Sequence, residues 1–512
     1  MKETTVNKWL IVLTVMLPTF IEIMDTSVVN VTLDHIRGTM SAGIDESAWA
    51  ITSYIVSNAI VMPMSDWLSR MFGRKRYLMF SVGLFTASSV LCGLSWSLSS
   101  LIFFRVLQGI GGGALVPLSQ AILFETFSEE ERGVAMGAFG LGTTVAPSLG
   151  LPLGGWIADN WSWRWIFYIN LPIGIISLFM IMANLKDPHY MKHERPKIDI
   201  LGLSLLIIGL AALQIVLDKG QREDWFSSNF ILILSIITVV ALVFLIFAEL
   251  SSDSPIIDLK VFRNISFSSG TIVTFVVFFS MMSIFVLTPV YVQSLLGYTA
   301  TLAGVVMMPQ GLCMMVSLGL AGLLGSKINQ KAVLVTGIIL ISCSAGLMAQ
   351  FNTMTDFRTV TYTLCLLGLS AGLIFVPLSI LSFTGISNSK MGNATALWNL
   401  LRNIGGSVGI AIVMTLIARG AQIHQNYLMD HMTPLDKGYR LTLERLTPLL
   451  HIRGYAGGAE GTIYGQLVRQ ATMLSFVDVY YLLMFMMLAV IPLAIFMKTG
   501  NGNGNGRKPS LH

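Results

Sequence analysis

The chain has 512 residues, 54% of them hydrophobic and only 12% charged, and its mean hydropathy is +0.72. Soluble domains carry about 25% charged residues, so half that share excludes an ordinary soluble protein; residues 264–326 hold no charged side chain at all. The net charge of +5 does not point to nucleic acid, because the basic residues fall mainly in short loops beside apolar spans.

Segments of about 18–25 mainly apolar residues mark membrane spans, and fourteen are predicted. Their cores lie at 9–31, 49–68, 77–96, 101–124, 134–157, 165–185, 200–217 and 230–248, then at 265–291, 302–324, 332–350, 360–383, 394–418 and 479–497. The fold class expected is therefore an all-α integral membrane protein. The first span is too long for a signal-peptide core, holds two acids and lacks an A-x-A site, so it is expected to be retained.

That first span is the most informative. Glu22 and Asp25 sit inside it, three residues apart and so on one helical face. A carboxylate near the bilayer centre costs roughly 2.5–3.5 kcal/mol on insertion scales. Such a pair is either structural, hydrogen-bonded to neighbouring helices, or a proton or cation site facing a central cavity.

Further along, Arg105 enters the fourth span with Gln108 and Gly109 following. It either snorkels from the helix end or sets its charge near Glu22 and Asp25. Gly142, Pro147, Gly150, Pro152, Gly154 and Gly155 crowd the fifth span, which predicts a bent helix in tight contact with its neighbours. Arg402, with Asn399 and Asn403, is a second interior cation; it either binds an anionic group or holds two halves in register.

Two patterns mimic soluble enzymes. Gly109 to Ala114 matches G-x-G-x-x-[GA] without a preceding strand. Gly368-Leu369-Ser370-Ala371-Gly372 matches the nucleophile elbow G-x-S-x-G, yet all seven histidines lie outside the span cores, which leaves no general base within reach. Both glycine clusters are expected to serve helix packing, and no catalytic residue is assigned. The four cysteines, Cys92, Cys313, Cys343 and Cys365, lie in apolar spans and form no C-x-x-C pair, so neither a metal site nor a disulfide framework is expected.

With the N-terminus inside, the cytoplasmic side receives Lys8, Arg70, Arg74, Lys75, Arg76, Arg132, Lys260, Arg263, Lys331, Lys390 and Lys498, among others. Short loops on the other side hold only Arg37, Lys219, Arg222 and Arg358, plus Arg164 at a span edge, so both termini are expected in the cytoplasm. Val116-Pro117-Leu118-Ser119 recurs as Val376-Pro377-Leu378-Ser379, and Gly133-x-Ala135 and Gly150 recur as Gly392-x-Ala394 and Gly409. Offsets of 260 and 259 residues indicate two related halves running in the same direction. The division expected is a six-helix half at 1–198, an inserted pair at 199–250 and a second half at 251–498. That second half includes a polar extracytoplasmic loop, 419–476, with helical-looking pieces such as Leu441–Leu446. A low-complexity tail at 499–512 is expected to be disordered.

Five stretches together resemble the EmrB/QacA-type drug–proton antiporters, the fourteen-span branch of the major facilitator superfamily. Met24-Asp25-Thr26-Ser27-Val28-Val29-Asn30-Val31 is similar to the first-span aspartate motif, and Arg105-Val106-Leu107-Gln108-Gly109 to the fourth-span R-x-x-Q-G motif. Gly142 to Gly155 looks like the fifth-span antiporter motif, and Trp163 to Pro172 like the signature entering the sixth span. Leu217-Asp218-Lys219-Gly220 with Asp224-Trp225-Phe226-Ser227-Ser228 completes the set. The loop after the second span departs from the family's G-x-L-A-D-R-x-G-R. Asp66 replaces the first glycine and Arg70 the aspartate, while Gly73 and Arg74 stay, so the gating contact of that aspartate is expected to be absent or reworked. Glu22 is an addition, since EmrB-like chains tend to have glutamine there, and Asp34 stands where the family often has proline.

The resemblance implies proton-coupled export of hydrophobic and amphipathic drugs across the bacterial inner membrane by alternating access, with no cofactor. Asp25 is then the first choice for proton carrier and Glu22 the second, with Arg105 tuning the site. Asn30, Gln108, Asn399, Arg402 and Asn403 are expected at the substrate cavity or gate. It also implies a periplasmic EmrA-type adaptor and a TolC-type outer-membrane channel. Export of a specific metabolite, siderophore or lipid is the alternative; an intramembrane serine hydrolase using Ser370 is a distant one.

Overall fold

The computed structural model describes residues 7–187, 199–252, 255–324, 328–430, 432–433, 435–452 and 458–498, so the tail from 499 lies outside the described residues. Every element there is helical. The first group is α1 (Lys8–Met40), α2 (Ile44–Phe72), α3 (Arg74–Gly93), α4 (Leu98–Gly112), α5 (Leu115–Thr126), α6 (Arg132–Asn160), α7 (Trp165–Tyr168) and α8 (Asn170–Asn184). Next come α9 (Ile200–Lys219) and α10 (Asn229–Ser251). The last group is α11 (Ile265–Val290), α12 (Ala300–Leu324), α13 (Gln330–Met348), α14 (Phe357–Ser382), α15 (Asn388–Met429), α16 (Lys437–Ile452) and α17 (Gly458–Phe496).

Among the described residues, thirteen helical stretches are both long and apolar enough to cross a bilayer. The remaining predicted span, 49–68, lies in α2, which is long enough at 29 residues. Its buried side includes Thr52, Ser53, Ser57, Asn58, Ser65 and Asp66, a polar load that the apolar average does not absorb.

Two spans are divided by proline, which lacks an N–H to bond the carbonyl four residues back. Pro117 leaves Gly113 without that donor, and the fourth span divides into α4 and α5. Pro172 does the same to Tyr168 and separates α7 from α8. Pro289 leaves α11 unbroken, and the helix ends in one π turn, Tyr291–Leu295. In the fifth span, α6 runs unbroken through Pro147 and Pro152.

The segment 419–476 is not mainly a loop. The 42-residue α15 and the 39-residue α17 run about 63 and 59 Å at 1.5 Å per residue, roughly twice a hydrocarbon core, so both project well past the span edges at 418 and 479. Gly420 lets them approach, since a Cβ there would lie 2.5 Å from Ser475 Oγ. Within the projection, Gln425 donates to Tyr464 at 2.8 Å and His424 bonds Asp478 at 2.6 Å. α16, which contains Leu441–Leu446, packs on α17.

In the first group, α1 packs on α6 and α8, and α4 on α2 and α3; in the last, α14 packs on α12 and α13, and α15 on α11 and α17. The two groups meet where α6 crosses α12 and where α15 crosses α2 and α5. Small residues set these distances: a Cβ on Gly137 would lie 2.9 Å from Gly322 Cα, and one on Gly372 would lie 2.4 Å from Leu318 N. The inserted α9 and α10 pack on each other, and α9 lies against both α2 and α15. Most of α10's apolar side chains are exposed, Ile233, Val239, Phe244 and Phe247 among them, as suits a helix facing lipid.

Candidate functional site

The α1 face predicted to carry two acids carries them in two different settings. Asp25 is buried at 1% exposure and saturated. Its Oδ2 accepts from Arg105 Nη1 at 2.5 Å, and its Oδ1 accepts from Gln108 Nε2 and Asn170 Nδ2, each at 2.9 Å. Arg105 does not snorkel. It is fully buried, donates through Nε to the Ala50 carbonyl at 2.9 Å, and lies over the Tyr54 ring at 4.2 Å. Gln108 Oε1 accepts a further bond from Arg105 Nη1, and Asn170 also donates to Ser89. Five helices, α1, α2, α3, α4 and α8, thus converge on one carboxylate. The glycines behind it allow the approach: a Cβ on Gly109 would meet Ser57 Oγ at 2.4 Å and one on Gly111 would meet Phe85 N at 2.5 Å.

Glu22, one turn earlier, has half its capacity committed. Oε1 accepts from Asn58 Nδ2 at 3.0 Å and from Tyr54 Oη at 3.3 Å, while Oε2 takes no bond from a described residue. Gly112 makes room for this group; a Cβ there would stand 2.9 Å from Tyr54 Oη and 3.4 Å from Glu22 Cγ. Tyr54, Asn58 and Asn170 were not singled out from the sequence. Tyr54 and Asn58 are four apart on one face of a span, so periodicity carried a signal for that pair, whereas the signal for Asn170 was its place in the Trp163–Pro172 stretch.

On the opposite wall, α15 presents Asn399, Arg402 and Asn403. Asn399 Nδ2 donates to Gln120 Oε1 of α5 at 2.6 Å, and Asn403 Nδ2 reaches Met62 Sδ of α2 at 3.8 Å, so both join the two halves. Arg402 bonds no described residue, and its Nε is buried without a partner. Its guanidinium lies 5.1 Å from the Phe278 ring centre and 5.7 Å from that of Trp398. Asn30 is exposed and stays outside this constellation.

The fifth-span glycines form a seam with α1. A Cβ on Gly154 would lie 2.7 Å from Val28 Cγ1, and one on Gly150 would lie 3.2 Å from the Met24 carbonyl. Gly142 faces Met16 and Gly155 faces Val31, while Pro147 stands partly exposed between them. At the basic face Gly73, with φ +87°, makes the turn between α2 and α3 that a side chain would strain. Asp66 is 3% exposed and pairs with Arg70, and Arg74 pairs with Glu125. Arg70 stands at the place of the family's aspartate, and the carboxylate of this segment, Asp66, lies one turn earlier. Asp66 Oδ1 sits where a Cβ on Gly392 would lie only 1.9 Å away, so it packs directly against the start of α15. The elbow-like Ser370 is fully buried and donates to the Leu367 carbonyl at 2.6 Å. Its flanking Gly368 and Gly372 fit α14 against α12.

Residues 15–410 match the sequence profile of the Major Facilitator Superfamily. The chain belongs to that superfamily. It is 32% identical over 491 residues to the multidrug export protein EmrB of Escherichia coli strain K12, covering 96% of this chain and 95% of that one. It is 36% identical over 428 residues to EmrB of Haemophilus influenzae, covering 83% and 84%. The fatty acid resistance protein FarB of Neisseria gonorrhoeae is 32% identical over 96% of each chain. Two solved structures share the fold at a TM-score of 0.60. They are the human organic anion transporter MFSD10, 14% identical over 94% of this chain and 99% of that one, and the proton:xylose symporter XylE, 13% identical over 95% and 96%. As a facilitator-superfamily member the chain is a multi-pass membrane transporter, and α9 and α10 are the extra pair between its two six-helix halves.

Proposed function

We propose that this chain exports hydrophobic and amphipathic compounds across the bacterial inner membrane in exchange for protons, by alternating access and without a cofactor or enzymatic step. The observation that carries this is the pair of membrane-embedded carboxylates on α1. One is open toward α15 of the other half; the other is bound to a fixed guanidinium inside its own half. Relatives named for multidrug export support the substrate class.

Protons enter at Glu22 Oε2 and act through Asp25. Neutralising Asp25 removes the negative charge that three donors share and leaves Arg105 an unpaired cation in a dry site. That is an arrangement the protein leaves by shifting α4 against α1. With both termini in the cytoplasm, the seam of Asp66 against Gly392 closes the inner side while the outer side exchanges protons and substrate. One proton per cycle at 100 mV supplies about 2.3 kcal/mol, which sustains roughly a 40–50-fold gradient of neutral substrate. The projecting α15–α17 pair is then periplasmic, where an EmrA-type adaptor leading to a TolC-type channel would dock.

The test is proton-gradient-driven uptake of a fluorescent lipophilic drug into inverted membrane vesicles. Wild type should accumulate the dye, and Asp25→Asn and Glu22→Gln should abolish accumulation while remaining folded. Absence of wild-type uptake under a verified gradient would overturn drug export and leave a narrow-substrate exporter.

A further inference from the structure

Among the described residues, Glu22 and Arg402 are the two charged groups at this inter-half site that lack an ion-pair partner, and they belong to opposite halves. Glu22 Oε2 and the Arg402 guanidinium bond no described residue, although Asn403 beside Arg402 touches α2 and Glu22 bonds α2. A pair built to hold the halves in register would be closed by a salt bridge, as Asp25 and Arg105 are. Here both groups come to the same stretch of α2 without being joined: Glu22 bonds Asn58, and Asn403, next to Arg402, reaches Met62 one turn on. We propose that this unjoined pair of charges receives a zwitterionic amphiphile. Its ammonium lies on Glu22 Oε2, its carboxylate on Arg402, and its apolar body beside Phe278 and Trp398.

Three features of the chemistry select that substrate over a simple ion. Arg402 cannot lose its proton, whereas Glu22 can. An anion held by Arg402 alone would bind better once Glu22 is protonated, because a like charge disappears; that sign gives cotransport with the proton, not exchange. A cation held by Glu22 alone competes with the proton, as exchange requires, but meets the fixed charge of Arg402. A zwitterion satisfies both groups, and protonation of Glu22 takes away only its ammonium contact. The proton then occupies Oε2 as the ammonium leaves, one proton entering for each electrically neutral molecule released. Because the two charges sit on different halves, the substrate bridges them and its departure frees α15 from α1 and α2.

This inference rests on the export reading, and a matched dye pair separates the two. Tetramethylrhodamine is a zwitterion, and its methyl ester is a cation of nearly the same shape. In inverted vesicles under a proton gradient, wild type should move the free acid faster than the ester. Arg402→Gln should lower the acid-to-ester uptake ratio by about tenfold, the effect of losing one charge-assisted contact. Arg402→Lys should restore part of it, which a variant that merely disturbs folding would not do. Glu22→Gln should remove proton-driven uptake of both dyes. An unchanged ratio in Arg402→Gln, with both dyes still transported, would overturn the zwitterion site and leave export standing. Failure of wild type to move either dye under a verified gradient would overturn export and this site together.

Discussion

Truncating Arg105 to alanine leaves the Asp25 carboxylate buried with two amide donors and no counter-charge. Breaking a buried pair by removing one partner costs about 3–5 kcal/mol, so Arg105→Ala and Asp25→Asn should each lower the melting temperature. The double variant Asp25→Asn/Arg105→Gln should recover much of the loss while remaining uncoupled, because amides can bond amides at 0% and 1% exposure without a net charge. Thermal unfolding in detergent, monitored beside vesicle uptake, checks both. At this scale the sequence located the carboxylates and Arg105 correctly on their spans but did not distinguish the carboxylates. Both are acids on one helical face; only the packing of α4 and α8 beside Asp25, and of α2 beside Glu22, makes one saturated and the other open.

Individual helices followed from apolar runs, and their breaks from prolines whose missing N–H lies four residues beyond a free carbonyl, as at Pro117 and Pro172. The partners of the inserted pair did not follow. Asp218 at the end of α9 accepts from Thr52 of α2 at 2.5 Å, and Lys219 lies 4.5 Å over the Trp49 ring. After α9, Trp225 Nε1 donates to Thr415 of α15 at 2.9 Å. The hairpin therefore touches one helix from each half, clasping the α2–α15 side of the molecule. Removing these bonds with Asp218→Ala and Trp225→Phe should cost about 1 kcal/mol each. It should also loosen the halves, measured as a broader distance distribution between spin labels placed on α2 and α15.

For the whole molecule, the extension of α15 and α17 past the span edges creates a helical projection with exposed apolar side chains. Ile423 is 55%, Tyr427 68% and Tyr464 51% exposed, more than a surface facing only water needs to carry. Ile423→Asp with Tyr427→Asp should leave dye uptake into vesicles intact, since the site lies far from them in the chain. The same variant should lose co-purification with an EmrA-type adaptor; retained co-purification would move the docking face elsewhere.

The sequence by itself determined the class of the protein, its spans and the polar residues within them. Hydropathy and helical period are local, and a charge placed in lipid is costly wherever the chain later folds. Segment 419–476 shows the limit of that logic. Its polarity set it apart from the apolar spans, but polarity does not end a helix, so the continuation of α15 and α17 was left to packing such as that of Gly420 on Ser475. The packing of Asp66 on the start of α15 was likewise decided in three dimensions, because its carboxylate fits there only if Gly392 leaves room. Contacts between distant parts of the chain depend on which small residues face each other across a seam. No single stretch of sequence contains both sides of that contact.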